Sequence, residues 1–167
     1  LVELGSDGQD VEEKARRAET AEQKRLLIIG LVFTIPLFLL SMGRDLGVFP
    51  ASLAEAPWVN WFFLLLATPV QFYVGAQYYV GAFKALANRS ANMDVLIALG
   101  SSTAYIYSLV IILTGSDMHV YLETAAVIIT LIRLGKFLEA RARGRTSDAI
   151  KKLLALRPQT ARIERGG

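Results

Sequence analysis

The chain has 167 residues, of which 53% are hydrophobic and 20% charged, with a formal net charge of +3 and a mean hydropathy of +0.41. This combination indicates apolar and charged residues that are segregated along the chain, as in a membrane protein, and argues against a single soluble domain. There is no cysteine and only one histidine, His119, which excludes a disulfide framework, thiolate metal ligands, a cysteine nucleophile and a histidine-rich metal cluster within this sequence.

Four apolar segments are each close to the roughly 17–25 residues that a membrane-spanning helix needs. They cover residues 26–42, 58–79, 93–113 and 120–138. Pro36 lies inside the first segment, and Pro69 and Gly75 lie inside the second. A spanning helix tolerates such residues where neighbouring helices satisfy the freed backbone groups. The sequence therefore predicts an all-α membrane protein with four transmembrane helices, which together form a membrane region over residues 26–142.

Lysine and arginine are distributed unevenly between the segments that connect these helices. Five precede the first helix, two lie between the second and third, and nine follow Arg133. By contrast, the connection after the first helix holds only Arg44, and the connection after the third holds none. Because positively charged loops remain in the cytoplasm, we predict an integral protein of the plasma or inner membrane with both termini on the cytoplasmic side.

The two ends of the chain are polar. Residues 1–25 are predicted to be a cytoplasmic linker, over 1–9, followed by a lead-in helix in which acidic residues stand four positions before basic ones. Residues 143–167 are predicted to be a cytoplasmic helix that stops near Pro158, followed by a strand over TARIER. Since a strand without a partner strand is not a finished domain, we expect the chain to stop inside a soluble domain.

Three side chains lie where they could bind a metal ion. Met93 carries a soft thioether that suits monovalent copper, or it is an apolar residue that fills a gap. Glu139 is either a ligand or the partner of Lys136 or Arg143 at helical spacing. Glu123 is an acid inside an apolar segment, which is either a functional group or an interfacial carboxylate that reaches water. The residues alone leave both interpretations open in each case.

Two stretches of sequence carry a resemblance to a known family. They are NRSANMD, directly before the third apolar segment, and YLE…GKFLEARARGRTSDAIKKL, across and after the fourth. With these motifs, the chain closely resembles the copper-transporting P-type ATPases of the heavy-metal class over residues 69–167. The resemblance implies two class-specific helices, the second of them kinked, then the first two helices of the common P-type core. The start of a β actuator domain would follow, with TARIER as its first strand.

The resemblance also implies a function. The chain would be part of an ATP-driven copper(I) export pump, while phosphorylation, Mg and ATP binding would belong to the full-length protein, so that this fragment alone is not catalytically competent. Expected partners are the lipid bilayer, the rest of the pump, and a copper chaperone or a metal-binding domain of the same protein, and not nucleic acid. Two alternatives are a non-enzymatic four-helix membrane scaffold or channel, and a P-type pump for silver or another heavy metal.

The same resemblance implies roles for individual residues. Met93 and Glu139 would be copper uptake ligands at the cytoplasmic face, and Glu123 would be a release ligand near the outer face. Sixteen residues at about 1.5 Å each separate Glu123 from Glu139 by roughly 24 Å, most of a bilayer core, so one helix could serve both faces. Arg133 departs from the family, which usually has an apolar residue there, and we expect it to snorkel toward the cytoplasmic interface.

A docking surface is also implied. The family's kink would fall at Gly75, where this chain has one glycine instead of two, and a single glycine still permits a kink. Residues 78–90 would then lie along the membrane interface as a platform with Lys84 and Arg89 as basic contacts, or the same residues would only anchor the helix. The aromatic residues expected at that interface are Tyr78, Tyr79 and Phe83.

Overall fold

The protein is helical over nearly all of the residues that the structure describes. The computed structural model describes residues 3–50, 56–116 and 118–155. In chain order its elements are α1 (Glu3–Asp45), α2 (Pro57–Pro69), a π-helical turn (Val70–Val74), α3 (Ala76–Ala87), α4 (Met93–Thr114) and α5 (Leu122–Ala155). No residue in these ranges is in a strand, and the strand predicted over TARIER lies outside them.

Helix α1 joins the polar N-terminal region to the first apolar segment without a break. It begins at Glu3, although the sequence predicted a linker up to residue 9, and it continues through Pro36. After the end of α1 at Asp45, Gly47 adopts a φ of +68°. A left-handed residue at this place is a common way to terminate a helix, and glycine adopts it without steric cost.

The second apolar segment consists of two helices set at an angle. Helix α2 has Pro57 at its start, where the missing N–H is not needed. The axis of Trp58–Val74 and the axis of α3 differ by 53°. At the corner, the Gly75 N–H donates to the carbonyl of Val70, five residues earlier, at 2.9 Å. A π-helical turn of this kind is one of the recognised causes of a sharp bend.

Helices α4 and α5 follow with a short connection between them. Helix α4 ends at Thr114, and Gly115, which caps it, has a φ of +64°. The connection folds back on the helices, because Val120 is buried and the Tyr121 N–H donates to Ser108 Oγ at 2.7 Å. Helix α5 is uninterrupted, so the polar helix predicted after the fourth apolar segment continues that segment directly.

The main core lies where α1, α2, the π turn and α5 meet, and α4 packs against α3 and α5. Its largest fully buried apolar side chains are Tyr78, Phe63, Leu37, Leu122, Ile129, Val70 and Val74. Between α1 and α5, the hydroxyls of Thr34 and Thr130 share a hydrogen bond of 2.8 Å. Such bonds between helices replace water as the partner of polar groups in an apolar environment.

A second polar cluster joins the π turn to α4. Gln71 is buried, and its Nε2 donates to the Tyr79 hydroxyl and to Ser101 Oγ, the latter at 3.2 Å. The Tyr79 hydroxyl also shares a hydrogen bond of 2.8 Å with Ser102 Oγ. The residues on both sides of the bend are therefore bonded to the same neighbouring helix.

Length and hydropathy make the chain an integral membrane protein. Residues Lys14–Asp45 of α1 and the whole of α4 can each cross a bilayer, and the bent pair of α2 and α3 would be a third span. The outer surfaces of these helices carry exposed apolar side chains, which suit contact with lipid or with further helices. Helix α5 carries four charged residues between positions 122 and 139, and its crossing stays a prediction.

Candidate metal path and docking helix

Met93 is the first residue of α4, and the cap before it fixes its position. Asn92 Oδ1 accepts a hydrogen bond from the Val95 N–H at 3.1 Å. This N-cap satisfies one of the backbone amides that have no partner at a helix start. The Met93 side chain is 52% exposed, so much of its surface is not in contact with the described residues. The Met93 side chain is therefore partly accessible at the start of α4.

Glu139 forms ion pairs within α5. Its Oε2 lies 3.8 Å from Lys136 Nζ, and its Oε1 accepts a hydrogen bond from Arg143 Nη2. These are the two partners that helical spacing suggested. All three side chains are substantially exposed, and exposed pairs at this spacing contribute only about 0.3–0.5 kcal/mol. A metal ion could displace them at small energetic cost.

Met93 and Glu139 belong to the same end of the pair formed by α4 and α5. The two helices are in contact and joined by residues 115–121, so they run antiparallel. Met93 is about 32 Å from the C-terminal end of α4, and Glu139 is about 26 Å from the start of α5. In the described part of the chain, no hydrogen bond or ion pair joins Met93 to Glu139.

Glu123 is the second residue of α5 and lies at the opposite end of that helix. Its side chain is half-buried, and its Oε1 accepts a hydrogen bond from the neighbouring Thr124 hydroxyl at 3.5 Å. Its Oε2 is buried and has no hydrogen-bond partner among the described residues. A buried carboxylate oxygen without a partner is unfavourable unless another group binds to it. Among those residues, no group of three or more His, Cys, Asp or Glu side chains could hold a metal ion.

Helix α3 presents one face to α4 and another to its surroundings. On the inner face, Ala82 and Ala85 pack against Val95 of α4. The outward face carries exposed side chains, which are Val80, Phe83, Lys84 and Leu86. Arg89 follows the helix, is exposed and has a φ of +52°. The two basic residues singled out in the sequence are therefore both accessible.

The two tyrosines of α3 are less exposed than expected. Tyr78 is only 1% exposed, and the Tyr79 hydroxyl is bonded to side chains of the π turn and α4. The prediction of an interfacial tyrosine is thus wrong for Tyr78, whereas Tyr79 is half-buried and Phe83 is exposed as predicted. The physical reason is the bend, because it turns the first residues of α3 toward the neighbouring helices.

Comparison with known proteins identifies the family. The chain is 51% identical over 151 residues to the probable copper-transporting ATPase PacS of Synechocystis sp., a match that covers 84% of this chain and 20% of that protein. It is 46% identical over 162 residues to the copper-exporting P-type ATPase of Staphylococcus aureus strain Newman, and 45% identical over 162 residues to that of the bovine strain RF122. Both of these matches cover 93% of this chain and 20% of the relative. Over most of its own length the chain therefore matches one segment of the copper-transporting P-type ATPases.

The chain spans about a fifth of the length of the curated relatives it matches. No protein-family model matches it. The assignment therefore depends on whole-sequence similarity to individual proteins, which extends over most of the chain.

One contact beside Met93 was not apparent from the sequence. A Cβ added at Gly81 of α3 would lie 2.1 Å from Asp94 Oδ2, so α3 crosses closely over the first turn of α4. The glycine inside the helical stretch YVGAFKAL was the available signal, because glycine in a helix often marks a close approach. Its partner could not be inferred, because Asp94 belongs to another helix.

Arg133 departs most clearly from expectation. The sequence suggested snorkelling to the interface, but the side chain is 1% exposed. Its Nε donates to the Val74 carbonyl at 2.9 Å, and its Nη1 donates to Gln23 Oε1 at 3.0 Å. The prediction that Arg133 snorkels is therefore wrong, because the π turn and α1 supply hydrogen-bond acceptors inside the bundle.

Proposed function

We propose that the chain supplies the first four membrane helices of an ATP-driven pump that exports copper(I). The observation that carries the proposal is the 45–51% identity to proteins named as copper-transporting or copper-exporting ATPases. Copper is the substrate, while ATP and Mg would bind to parts of the pump outside these residues. The half-exposed Met93 supports the monovalent ion, because its thioether is a soft donor and soft donors favour copper(I) over hard cations.

Copper(I) would be taken up at Met93 and Glu139 and released at Glu123. A thioether with a carboxylate makes a weak site, which a relay needs in order to pass the ion on. The exposed ion pairs of Glu139 support this role, because the carboxylate can exchange one cation for another at small cost. The buried, unpartnered Oε2 of Glu123 supports a release ligand, since this oxygen is already shielded from solvent and lacks a donor.

Helix α5 would be the fourth span despite its charges. Glu123 and Glu139 lie near the two ends of its apolar part, and the Arg133 guanidinium faces the bundle instead of lipid. Charged side chains within a span are tolerated when they face the protein interior and find partners there. With four spans, the distribution of Lys and Arg would put both ends of the chain in the cytoplasm.

Labelling of single cysteines tests this topology in a background of the complete pump from which reactive native cysteines are removed. A cysteine at Ser116, in the connection before α5, should react with a membrane-impermeant maleimide in intact cells. One at Ser147, beyond the apolar part of α5, should react only after permeabilisation. A cysteine at Ser52 should behave like the one at Ser116. The reverse pattern would overturn the topology.

Helix α3 is proposed as the docking platform for a copper chaperone or for a metal-binding domain of the same protein. Its outward face is exposed, and Lys84 and Arg89 add positive charge to it. The close approach of Gly81 to Asp94 puts α3 beside the start of α4. A partner seated on α3 would therefore release copper next to Met93.

Reversing both platform charges tests the docking role. In the complete pump, Lys84→Glu with Arg89→Glu should raise the KM for chaperone-delivered copper about tenfold at low salt, because steering by complementary charge acts mainly on association. The KM for free copper(I) should change little. Both KM values are obtained from ATP turnover measured at increasing copper concentration.

The matched control is the reversal of two exposed charges before the first apolar segment, Lys24→Glu with Arg25→Glu, which should leave both KM values near those of the parent. Equal KM values for delivered copper in the two double variants would contradict docking on α3 and leave membrane anchoring as the role of Lys84 and Arg89.

The function as a whole is tested with the purified complete protein in lipid. ATP turnover should rise with copper(I) and require Mg, and copper should accumulate inside inverted vesicles. Silver(I) and zinc(II) are the comparison ions, since silver shares the preference for soft donors and zinc does not depend on a thioether. Stimulation by zinc alone, or none by any of the three ions, would reject the proposal.

A further inference from the structure

The bend between α2 and α3 leaves one backbone carbonyl without its usual helical partner. In a continuous α-helix the carbonyl of Val74 would accept the N–H of Tyr78, four residues later. In this structure the Tyr78 N–H donates to the Gly75 carbonyl at 2.9 Å instead. Val74 is fully buried, and an unpartnered carbonyl in an apolar environment is strongly unfavourable. The bend therefore requires a donor from elsewhere.

Arg133 of α5 supplies that donor with two arms of its guanidinium. Its Nε donates to the Val74 carbonyl at 2.9 Å, and its Nη2 donates to the same oxygen. The two residues are 59 positions apart in sequence, so this contact joins the bend to a different helix. A planar guanidinium with several fixed N–H groups is suited to hold one oxygen in this way, whereas a lysine offers a single point charge.

The remaining surroundings of the guanidinium hold it in place. Its Nη1 donates to Gln23 Oε1 of α1 at 3.0 Å, and its central carbon lies 5.2 Å from the centre of the Tyr78 ring. Arginine over an aromatic face is favourable, especially when both groups are removed from water. One side chain thus contacts α1, the π turn and the first turn of α3.

We propose that Arg133 is a positioning residue that maintains the bend at Gly75 and so sets the direction of α3 beside Met93. The consequence for metal delivery rests on the proposed function, because it requires α3 to be the docking platform. The bend itself does not depend on that function. The guanidinium satisfies the carbonyl that bending exposes, so its removal favours a straighter helix in which Val74 regains an N–H partner from its own chain.

A distance measurement tests the bend directly. Spin-labelled amino acids introduced by genetic encoding at Trp58 and Leu86, both exposed, would report the separation of the two helix ends in the complete pump in lipid. The 28 residue steps between them span about 42 Å in a straight helix and about 38 Å with the observed 53° bend. Arg133→Met retains a long apolar side chain without donors. We expect it to broaden the distribution and move it about 4 Å toward the longer distance.

Two further variants make the result specific. Arg133→Lys keeps the positive charge but loses the planar guanidinium with its fixed N–H donors. We therefore expect the parent distance with an added longer component. Arg44→Met is the control, because Arg44 lies at the far end of α1 and also contacts a ring and a polar side chain, those of Phe63 and Asn60. This variant should leave the distance distribution unchanged. Unchanged distances in folded Arg133→Met would overturn the proposal. If that variant does not fold, an unchanged distribution in Arg133→Lys overturns it instead.

Transport kinetics separate this inference from the docking role. If both are right, Arg133→Met raises the KM for chaperone-delivered copper several-fold, while kcat at saturating free copper(I) stays near the parent value. A lengthened distance with parental KM would support the positioning of α3 by Arg133 and contradict docking on α3. A loss of kcat at saturating free copper(I), with the parent distance retained, would overturn the positioning role.

Discussion

Met93→Leu is expected to lower copper-stimulated ATP turnover of the complete pump about tenfold at limiting copper, which corresponds to about 1.4 kcal/mol. Leucine keeps the apolar volume and removes the sulfur, so a packing role would be largely preserved. Glu139→Gln keeps the shape and removes the charge, and it should reduce turnover in the same direction. Turnover across a copper titration, with the amount of folded protein measured in parallel, provides the test.

Matched variants distinguish ligand loss from general damage. Met42→Leu changes another exposed methionine, at the far end of α1, and Glu19→Gln changes an exposed acid of the same helix. Both should behave like the parent protein. If Met93→Leu and Glu139→Gln also turn over ATP like the parent protein at limiting copper, the proposed uptake site is wrong. Met93 would then serve packing only, and Glu139 would serve ion pairing only.

Glu123→Gln should have a different kinetic signature from the uptake variants. The amide retains hydrogen-bonding capacity but loses the negative charge at the buried position of Oε2. Copper uptake and phosphorylation should then stay close to normal, whereas copper release and the dephosphorylation that follows should slow. Time courses of phosphoenzyme decay after a copper-loaded start measure this step. Parental decay rates would assign Glu123 a purely interfacial role.

Gly75→Ala is the second change with a large expected effect, and it acts on the fold. A Cβ at this position would lie 2.4 Å from the carbonyl oxygen of Gln71 and 3.0 Å from Ile129 Cδ1. The first contact is with backbone, which cannot rotate away, so the corner must shift. We expect a destabilisation of about 1–3 kcal/mol, the usual range for overpacking. Thermal unfolding of the purified protein in detergent measures the direction and size of the change in stability.

A second glycine provides the control for this experiment. A Cβ at Gly100 of α4 would meet no atom within 4 Å, so Gly100→Ala adds no clash. Because glycine within a helix is less favourable than alanine by roughly 0.5–1 kcal/mol, this variant should be as stable as the parent or slightly more so. Equal stability of the two variants would show that the corner at Gly75 accommodates a side chain.

The helices themselves were largely predictable. The third apolar segment, predicted over 93–113, is the helix Met93–Thr114, and polar residues flank it on both sides. Local composition was sufficient here, because a long apolar run must satisfy its backbone hydrogen bonds internally and a helix does so. The N-terminal limit of α1 was missed for a related reason. The polar, glycine-containing stretch after Glu3 looks like a linker, and it is helical as the continuation of an already formed helix.

The surroundings of individual side chains were less predictable. The pairing of Glu139 with Lys136 and Arg143 follows from i−3 and i+4 spacing and needed only the helix. The unpartnered oxygen of Glu123 could not be foreseen, because its burial depends on how the connection and the neighbouring helices enclose the start of α5. The contact of Gly81 with Asp94 likewise exists only once α3 and α4 have packed.

By itself the sequence determined the helical class, the positions of the apolar segments, the candidate ligands and, through its motifs, the resemblance to copper-transporting P-type ATPases. Only the tertiary structure decided the environment of Arg133 and Tyr78. Their burial depends on a carbonyl freed by the π turn and on acceptors contributed by α1, which lie far away in sequence. Local patterns specify which backbone groups a helix satisfies itself, whereas the partners of the groups it leaves free are set by the packing of distant segments.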